Sequence, residues 1–393
     1  MSLEIVSNID TVDKDILTFN LRGVDVCVVN SIRRTILASI PTLVFKSVPY
    51  GDDNINITKN TTKFNNEYLK QRISCIPIMN DDETSYENYK NTYKVTLSVK
   101  NEELEPVYVT TNDFVIVNKE TDKSESDELK NKLFPADPVT GDYSIICVLY
   151  PSYNTNETCE EIEMEINFDV GIPGESSCWN IVQTCAYEYL RNEAKIEEMA
   201  SHIEDELERN DFKILEGQKI VHPNEYRMQV QSLGEELGTF TNTTMVHKAC
   251  DYIIYKLGLV LGYLKKTNNQ EHISKDEMMA NATNGTSSKE QLEEYENMYC
   301  SIFTEEDNFF VFKLKEDDFT IGKIIEKYLF KNYQKDLAFV GFKKEHPTKK
   351  EAFIYIKFHK KSQGPNLNIY LAETVKELIG IYENIQKYFP KNK

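Results

Sequence analysis

Residues 26–41 read VCVVNSIRRTILASIP, an apolar run broken by two adjacent arginines. Asp25 can cap a helix and the ring of Pro41 stops one, so the stretch reads as a helix between them. At ~100° per residue, Val28, Ile32, Thr35, Ile36 and Ser39 share one face and Asn30, Arg33, Arg34 and Leu37 the opposite one. The first face asks for a core. The second mixes guanidinium, amide and leucine, which is the chemistry of an interface more than of a Lys/Glu surface. An alternative stays open, in which both arginines are solvated or pair with the chain's own acids. The chain has seven Arg against 38 Lys, and three of the seven fall at positions 22, 33 and 34. A sequence that chooses Lys almost everywhere keeps Arg where a planar, multi-donor group is needed.

The charge around this helix is acidic. The 393 residues carry a net charge of −19, unevenly spread: residues 301–393 hold 17 Lys and 13 acids, the remainder 28 basic and 51 acidic residues. The front of the chain repels phosphates, which argues against direct nucleic-acid binding, and the change near residue 300 marks a boundary. No apolar run approaches the ~18 residues of a membrane span, and Met1 to Ile16 carries acids where a signal peptide would be basic. The cysteines at 27, 75, 147, 159, 178, 185, 250 and 300 form no CxxC, which suits a reducing compartment and no zinc ribbon. Six histidines make no HxxxH or HExxH, and no phosphate-binding glycine loop or serine elbow is present, so no catalytic residue is assigned.

Outward from the helix, Asp15 to Leu21 alternates as a half-buried strand. Residues 50 to about 165 are strand-rich, with Lys119 to Lys132 read as an exposed loop. Trp179 to about Arg209 carries helical signals, and Tyr226 to Ser232 reads as a strand. A long helix from Thr244 places Val246, Cys250, Ile253, Leu257, Val260 and Leu264 on a heptad seam. Asn268 to Lys289 is polar and aperiodic, a linker. The last segment gives a strand at FFVFKL, a helix at TIGKIIEKYLFK, strands at LAFVGF and AFIYIKF, and a final helix. Its seam is Leu371, Val375, Leu378, Tyr382, Ile385 and Phe389. Each seam needs a partner, either the other seam or its own sheet.

These residues resemble the α-like subunits of multisubunit RNA polymerases: the bacterial alpha protein, the third-largest subunit of eukaryotic polymerase II, and the archaeal counterpart of the latter. Asn30, Arg33, Arg34 and Pro41 fill the family's signature helix. NTTKFNNEYLKQRISCIPI matches the entry to its insert domain through Asn60, Glu67, Arg72, Ile76 and Pro77. FDVGIPGESSCW is similar to the loop that leaves the insert through Gly171, Ile172, Glu175 and Trp179. Pro173, Ser176 and Cys178 replace the family's second Gly, His and Lys there. The end of the chain resembles the eleventh subunit of polymerase II and its archaeal counterpart through Thr320, Ile321 and Gly322 and through Gly341, Phe342, His346 and Pro347. Both in one chain resemble the fused subunit of large cytoplasmic DNA viruses.

The resemblance implies an α+β fold of two dimerisation units forming an intramolecular pseudo-dimer: residues 1–48 with 166–266, and 300–393. A β-rich insert (49–165) and a linker (267–299) complete the chain. It implies a non-catalytic assembly platform, without cofactor or metal, one copy per polymerase, docking the largest, second-largest and small subunits. Asn30, Arg33, Arg34, Leu37, Glu67 and Arg72 would form its subunit interface, and the two heptad seams the pairing interface. The expected location is the virion and host cytoplasm for a viral chain, otherwise the nucleus. The competing expectation is a DNA-binding regulator using the NSIRR helix.

Overall fold

The computed structural model describes residues 5–12, 15–48, 54–151, 159–267, 299–306, 308–360, 364 and 366–390. The linker expected over 268–289 lies outside them. The first unit opens with an antiparallel hairpin, β1 (Val6–Val12) and β2 (Ile16–Arg22), followed by α1 (Val26–Ala38). After a long excursion the chain returns as β11 (Val182–Arg191) and β12 (Val221–Ser232) and ends in α7 (Asn242–Thr267). The sheet order is β1-β2-β12-β11. Leu17, Phe19 and Leu21 stand opposite Val230, Met228 and Tyr226, and all six are buried on one face. That face receives α1 and α7, as alternation with period two demands.

The end of the chain repeats this plan. A hairpin of β13 (Cys300–Glu306) and β14 (Phe309–Lys315) leads into α8 (Phe319–Tyr333). A second hairpin of β15 (Leu337–Lys343) and β16 (Glu351–Phe358) leads into α9 (Leu367–Gln386). The sheet order is β13-β14-β16-β15, position for position that of the first unit. Phe310, Phe312 and Leu314 face Ile356, Ile354 and Ala352 in the buried row. The four helices share one core: α1 packs on α8, its counterpart, α7 packs on α9, its counterpart, and α1 also meets α7 as α8 meets α9.

Between α1 and β11, where the second unit has only a short connection, lies the excursion. It holds β3 (Thr42–Val44), β4 (Ile55–Asn60), α2 (Asn66–Ser74), α3 (Tyr86–Thr92), β5 (Tyr93–Lys100), β6 (Val107–Thr110) and β7 (Val115–Asn118). Then come α4 (Asp127–Leu133), β8 (Ile145–Leu149), β9 (Glu161–Asn167) and β10 (Asp169–Gly171). Strands pair as β4-β9-β5-β7, β6-β8 and β10-β3. A second core runs from Leu43 to Phe168 and is centred on Phe45, whose ring lies 5.4 Å from Phe168 and 5.8 Å from Phe134.

Three local expectations change. Residues 182–191, expected to be helical, form β11, because VQTCAYEYLR buries Val182 and Cys185 against the sheet and pairs along β12; helices α5 (Glu193–Ala200) and α6 (Glu206–Leu215) follow it. The loop expected over 119–132 overlaps α4, which runs on to Leu133, buried in the insert core. The last helix stops at Gln386, so Phe389 joins the core from the turn beyond, with its N–H bonded to the carbonyl of Gln386 (3.0 Å) and its ring 4.7 Å from Phe19.

Candidate subunit interface

Helix α1 begins where Asp25 accepts a hydrogen bond from the N–H of Cys27 (3.0 Å), supplying an orphan donor with its partner. Val28, Ile32, Thr35 and Ile36 are buried, as the helical spacing predicts, and so are Val29 and Ser31. The Ser31 hydroxyl lies 2.6 Å from the Tyr382 hydroxyl of α9, a hydrogen bond between units within the core. Nothing in NSIRR as a sequence singles out Ser31; its role depends on a tyrosine 351 positions away.

The polar face divides into two. Arg33 Nε donates to Asn30 Oδ1 (3.1 Å), with its charge near Cys185 of β11, and Leu37 packs against the edge of the core. Arg34 turns to the other unit. Its Nε donates to Thr320 Oγ1 (3.0 Å) and its Nη2 pairs with Asp318 Oδ2. This is the pairing with the chain's own acids that the sequence left open. The ion pair is about one-third exposed on both sides, so solvent screens it.

Asp318 and Thr320 form the receiving end, with Asp317 beside them. Asp318 caps α8, its Oδ1 accepting from the N–H of Thr320 (2.8 Å). Burial raises its carboxyl, but the N–H and hydroxyl of Thr320 and the Arg34 guanidinium outweigh this and hold it below the usual carboxylate range. Asp317 is pushed the opposite way, to about 6, because burial outweighs its hydrogen bond from Tyr299 and the nearby Lys256. Lys256 belongs to α7 and sits 4.7 Å from the centroid of the Tyr299 ring. Neighbouring carboxylates are thus shifted in opposite directions, because donors dominate around one and burial dominates around the other.

The seams meet as one core. Val246, Cys250, Ile253, Leu257, Val260 and Leu264 of α7 are at most 1% exposed, and so are Leu371, Val375, Leu378, Tyr382, Ile385 and Phe389. Polar contacts close the ends: His247 Nδ1 bonds the carbonyl of Phe389 (2.7 Å), Gln386 donates to Asp251, and the N–H of Ile302 donates to the Tyr263 hydroxyl (3.1 Å).

The remaining motif residues mostly hold backbone in place. Arg72 donates to the carbonyls of Ile146 (2.7 Å) and Ile145 (2.9 Å), tying α2 to β8 inside the insert, whereas Glu67 stands exposed in the first turn of α2. Asn60 organises the turn before α2, accepting from the N–H of Thr62 (2.9 Å) and donating to the carbonyl of Phe64 (2.8 Å). Pro77 follows the end of α2, where it cannot continue the helix. Gly171 lies under Trp179: a Cβ there would stand 2.5 Å from the indole ring. Gly322 meets Phe342 in the same way, at 2.0 Å, and a Cβ on Gly341 would meet Phe339 at 2.4 Å. His346 and Pro347 form an exposed turn in which His346 Nδ1 lies 2.7 Å from Thr348 Oγ1.

A cleft of about 680 Å³ opens where the C-terminal end of α1 (Ser39 to Pro41) meets the insert entry (Asp81 to Thr84) and α7 (Lys248, Tyr252, Tyr255). Lys248 crosses its wall, donating to the carbonyl of Asp81 (2.6 Å) and pairing with Glu83 (3.1 Å). Cys75, isolated in sequence, proves to be a neighbour of Cys178.

The comparisons agree with this architecture. The family described as the RNA polymerase Rpb3/Rpb11 dimerisation domain matches residues 18–354. The chain is also similar to the DNA-directed RNA polymerase subunit Rpo3 of Methanosphaera stadtmanae, with 29% identity over 213 residues, covering 51% of this chain and 68% of that protein. The match runs across both units and the insert, and the chain belongs to the RNA polymerase Rpb3/Rpb11 dimerisation domain family.

Proposed function

We propose that the chain is the non-catalytic assembly platform of a DNA-directed RNA polymerase, with the two halves of an α-like heterodimer joined in one polypeptide. The observation that carries the reading is the repeated β-β-α-β-β-α plan, in which each helix of one unit packs on its counterpart in the other. That arrangement is what a two-fold interface generates when both partners share a fold. The halves pair within one chain, and one copy enters each polymerase. Asn30, Arg33 and Leu37 of the first unit receive the second-largest subunit, with Glu67 of the insert within the same surface. The largest subunit contacts the second unit, and the small subunits bind alongside. The chain brings no metal or cofactor of its own; the chemistry belongs to the large subunits. A viral chain would act in the virion and host cytoplasm.

The rival reading, a DNA-binding regulator using the NSIRR helix, loses support because Arg34 is committed to Asp318 and Thr320 and Arg33 to Asn30. The surrounding acidic charge also repels a duplex.

Native purification of a tagged chain tests the proposal. The two large polymerase subunits should co-purify in equal amounts with the chain. Arg33→Ala should leave the chain folded and lower recovery of the second-largest subunit by about tenfold, consistent with loss of a partly desolvated interfacial charge. Recovery of the chain alone, or unchanged capture by the Arg33→Ala chain, would contradict the platform or its docking face respectively.

A further inference from the structure

Two thiols from different parts of the chain meet beside Trp179. Cys75 caps the C-terminal end of α2 in the insert, its N–H bonded to the carbonyls of Gln71 and Arg72 (both 3.2 Å). Cys178 sits in the one-turn helix Ser177–Trp179, in the segment that returns from the insert to the first unit. The Trp179 indole N–H donates to Ser74 Oγ (3.1 Å) in a buried hydrogen bond that draws these two segments together. Ser74 Oγ is then 3.6 Å from Cys178 Sγ, and Ser176 Oγ is 3.0 Å from it. Cys75 follows Ser74 directly, and its thiol interacts with that of Cys178; burial first, then this neighbour, raises the Cys75 thiol above its ordinary value. Cys75 is exposed and Cys178 half-buried, whereas Cys147, Cys185, Cys250 and Cys300 are enclosed in the cores.

We infer that Cys75 and Cys178 are a reversible disulfide pair whose oxidation pins the insert to the first dimerisation unit. With hydrogen peroxide as oxidant, one thiolate attacks a peroxide oxygen, the O–O bond breaks, and hydroxide leaves to take up the proton the thiol released, so that water and a sulfenic acid remain. The second thiolate attacks that sulfur, the S–S bond forms, the S–O bond breaks, and a second hydroxide leaves to take up the second thiol's proton as water. The sulfurs lose two electrons in total and the peroxide gains them; a small dithiol reverses the exchange through a mixed disulfide. The linked residues enclose the insert from α3 to β10, so the bond removes freedom from the unfolded chain and holds the end of α2 against the return segment. The pair is independent of the proposed polymerase role.

The test uses the full reduced chain, treated with hydrogen peroxide, denatured, alkylated and digested without reductant. Mass spectrometry should find the Cys75 peptide joined to the Cys178 peptide, with six of the eight thiols still alkylated, and dithiothreitol should restore all eight. The melting temperature of the oxidised chain should exceed that of the reduced chain by about 5 °C or more. Cys75→Ser and Cys178→Ser chains, each checked by circular dichroism, should show no linkage and no shift. Eight alkylated thiols after oxidation, or a sulfinic acid at either position without linkage, would overturn the pair. A linked chain that melts no higher than the reduced one would overturn the pinning.

Discussion

Asp318 divides its two carboxylate oxygens between separate tasks: Oδ1 caps α8 and Oδ2 receives Arg34 from the other unit. The tasks can be separated by substitution. Arg34→Ala removes a partly exposed ion pair and the bond to Thr320, a loss of about 1 kcal/mol. Asp318→Ala loses the ion pair and also the cap, worth about another 1 kcal/mol, whereas Asp318→Asn keeps a competent cap. Denaturant titrations should therefore rank Asp318→Ala as clearly the least stable, with Asp318→Asn close to Arg34→Ala. Equal stability of Asp318→Ala and Asp318→Asn would remove the capping argument. The preceding residue, Asp317, responds to pH. With its folded pKa raised to about 6 from an unfolded value of about 3.9, Asp317 contributes stability below about pH 4 that is lost as pH rises through about 6. Asp318, held low, acts in the opposite sense, contributing above the usual Asp range and losing that contribution in acid. Asp317→Asn can still accept from Tyr299 and carries no charge. It should flatten the fall in melting temperature between about pH 4 and 6.5 and stabilise the chain at pH 7 by on the order of 1–2 kcal/mol. Parallel pH profiles for the two chains would show that Asp317 is not the titrating group.

Helix α8 turns a motif glycine into a packing requirement. Gly322 faces the ring of Phe342 on β15, which is itself packed 4.8 Å from Phe319, so a methyl group at 322 has no room without moving two aromatic rings. Gly322→Ala gains about 1 kcal/mol of helix propensity but overpacks the contact, at a cost of about 1–3 kcal/mol. Net destabilisation of about 1 kcal/mol should appear in thermal melts, and Phe342→Leu should relieve it; an alanine variant as stable as wild type would refute the close approach. Elements of this kind differ in how far the sequence reveals them. The heptad seams of α7 and α9 were legible because burial repeats along one helix, and the polar and apolar faces of α1 followed from the same geometry. β11 was not, since the acid-rich residues that follow it belong to real helices, and its own alternation is settled only by pairing with β12 forty residues away. The use of Arg34 was half legible: spacing put it on a polar face, but its acceptor lies 284 positions distant and no local pattern names it. Cys75 with Cys178, and Ser31 with Tyr382, were likewise invisible for the same reason, that contact is made by the fold and not by the neighbourhood in sequence.

At the scale of the whole molecule, two units with the same topology leave a question that only pairing answers: what covers the seams. The twelve seam residues of α7, α9 and the turn beyond α9 are at most 1% exposed with the two units together. Where the other unit supplies that cover, the stability of the two units is linked by mass action. In one polypeptide the second unit is always close by, which raises its effective concentration to about the millimolar range and makes pairing independent of protein concentration. Two experiments follow. Sedimentation of the intact chain should give the mass of one chain at low and high concentration. Residues 1–267 produced without the rest should aggregate or bind a dye for exposed apolar surface, and co-production with 299–393 should return both pieces to solution as a one-to-one complex. A soluble, cooperatively melting 1–267 fragment would mean that the first sheet covers its own seam, and the core shared by the two units would then be a consequence of proximity and not a condition for folding.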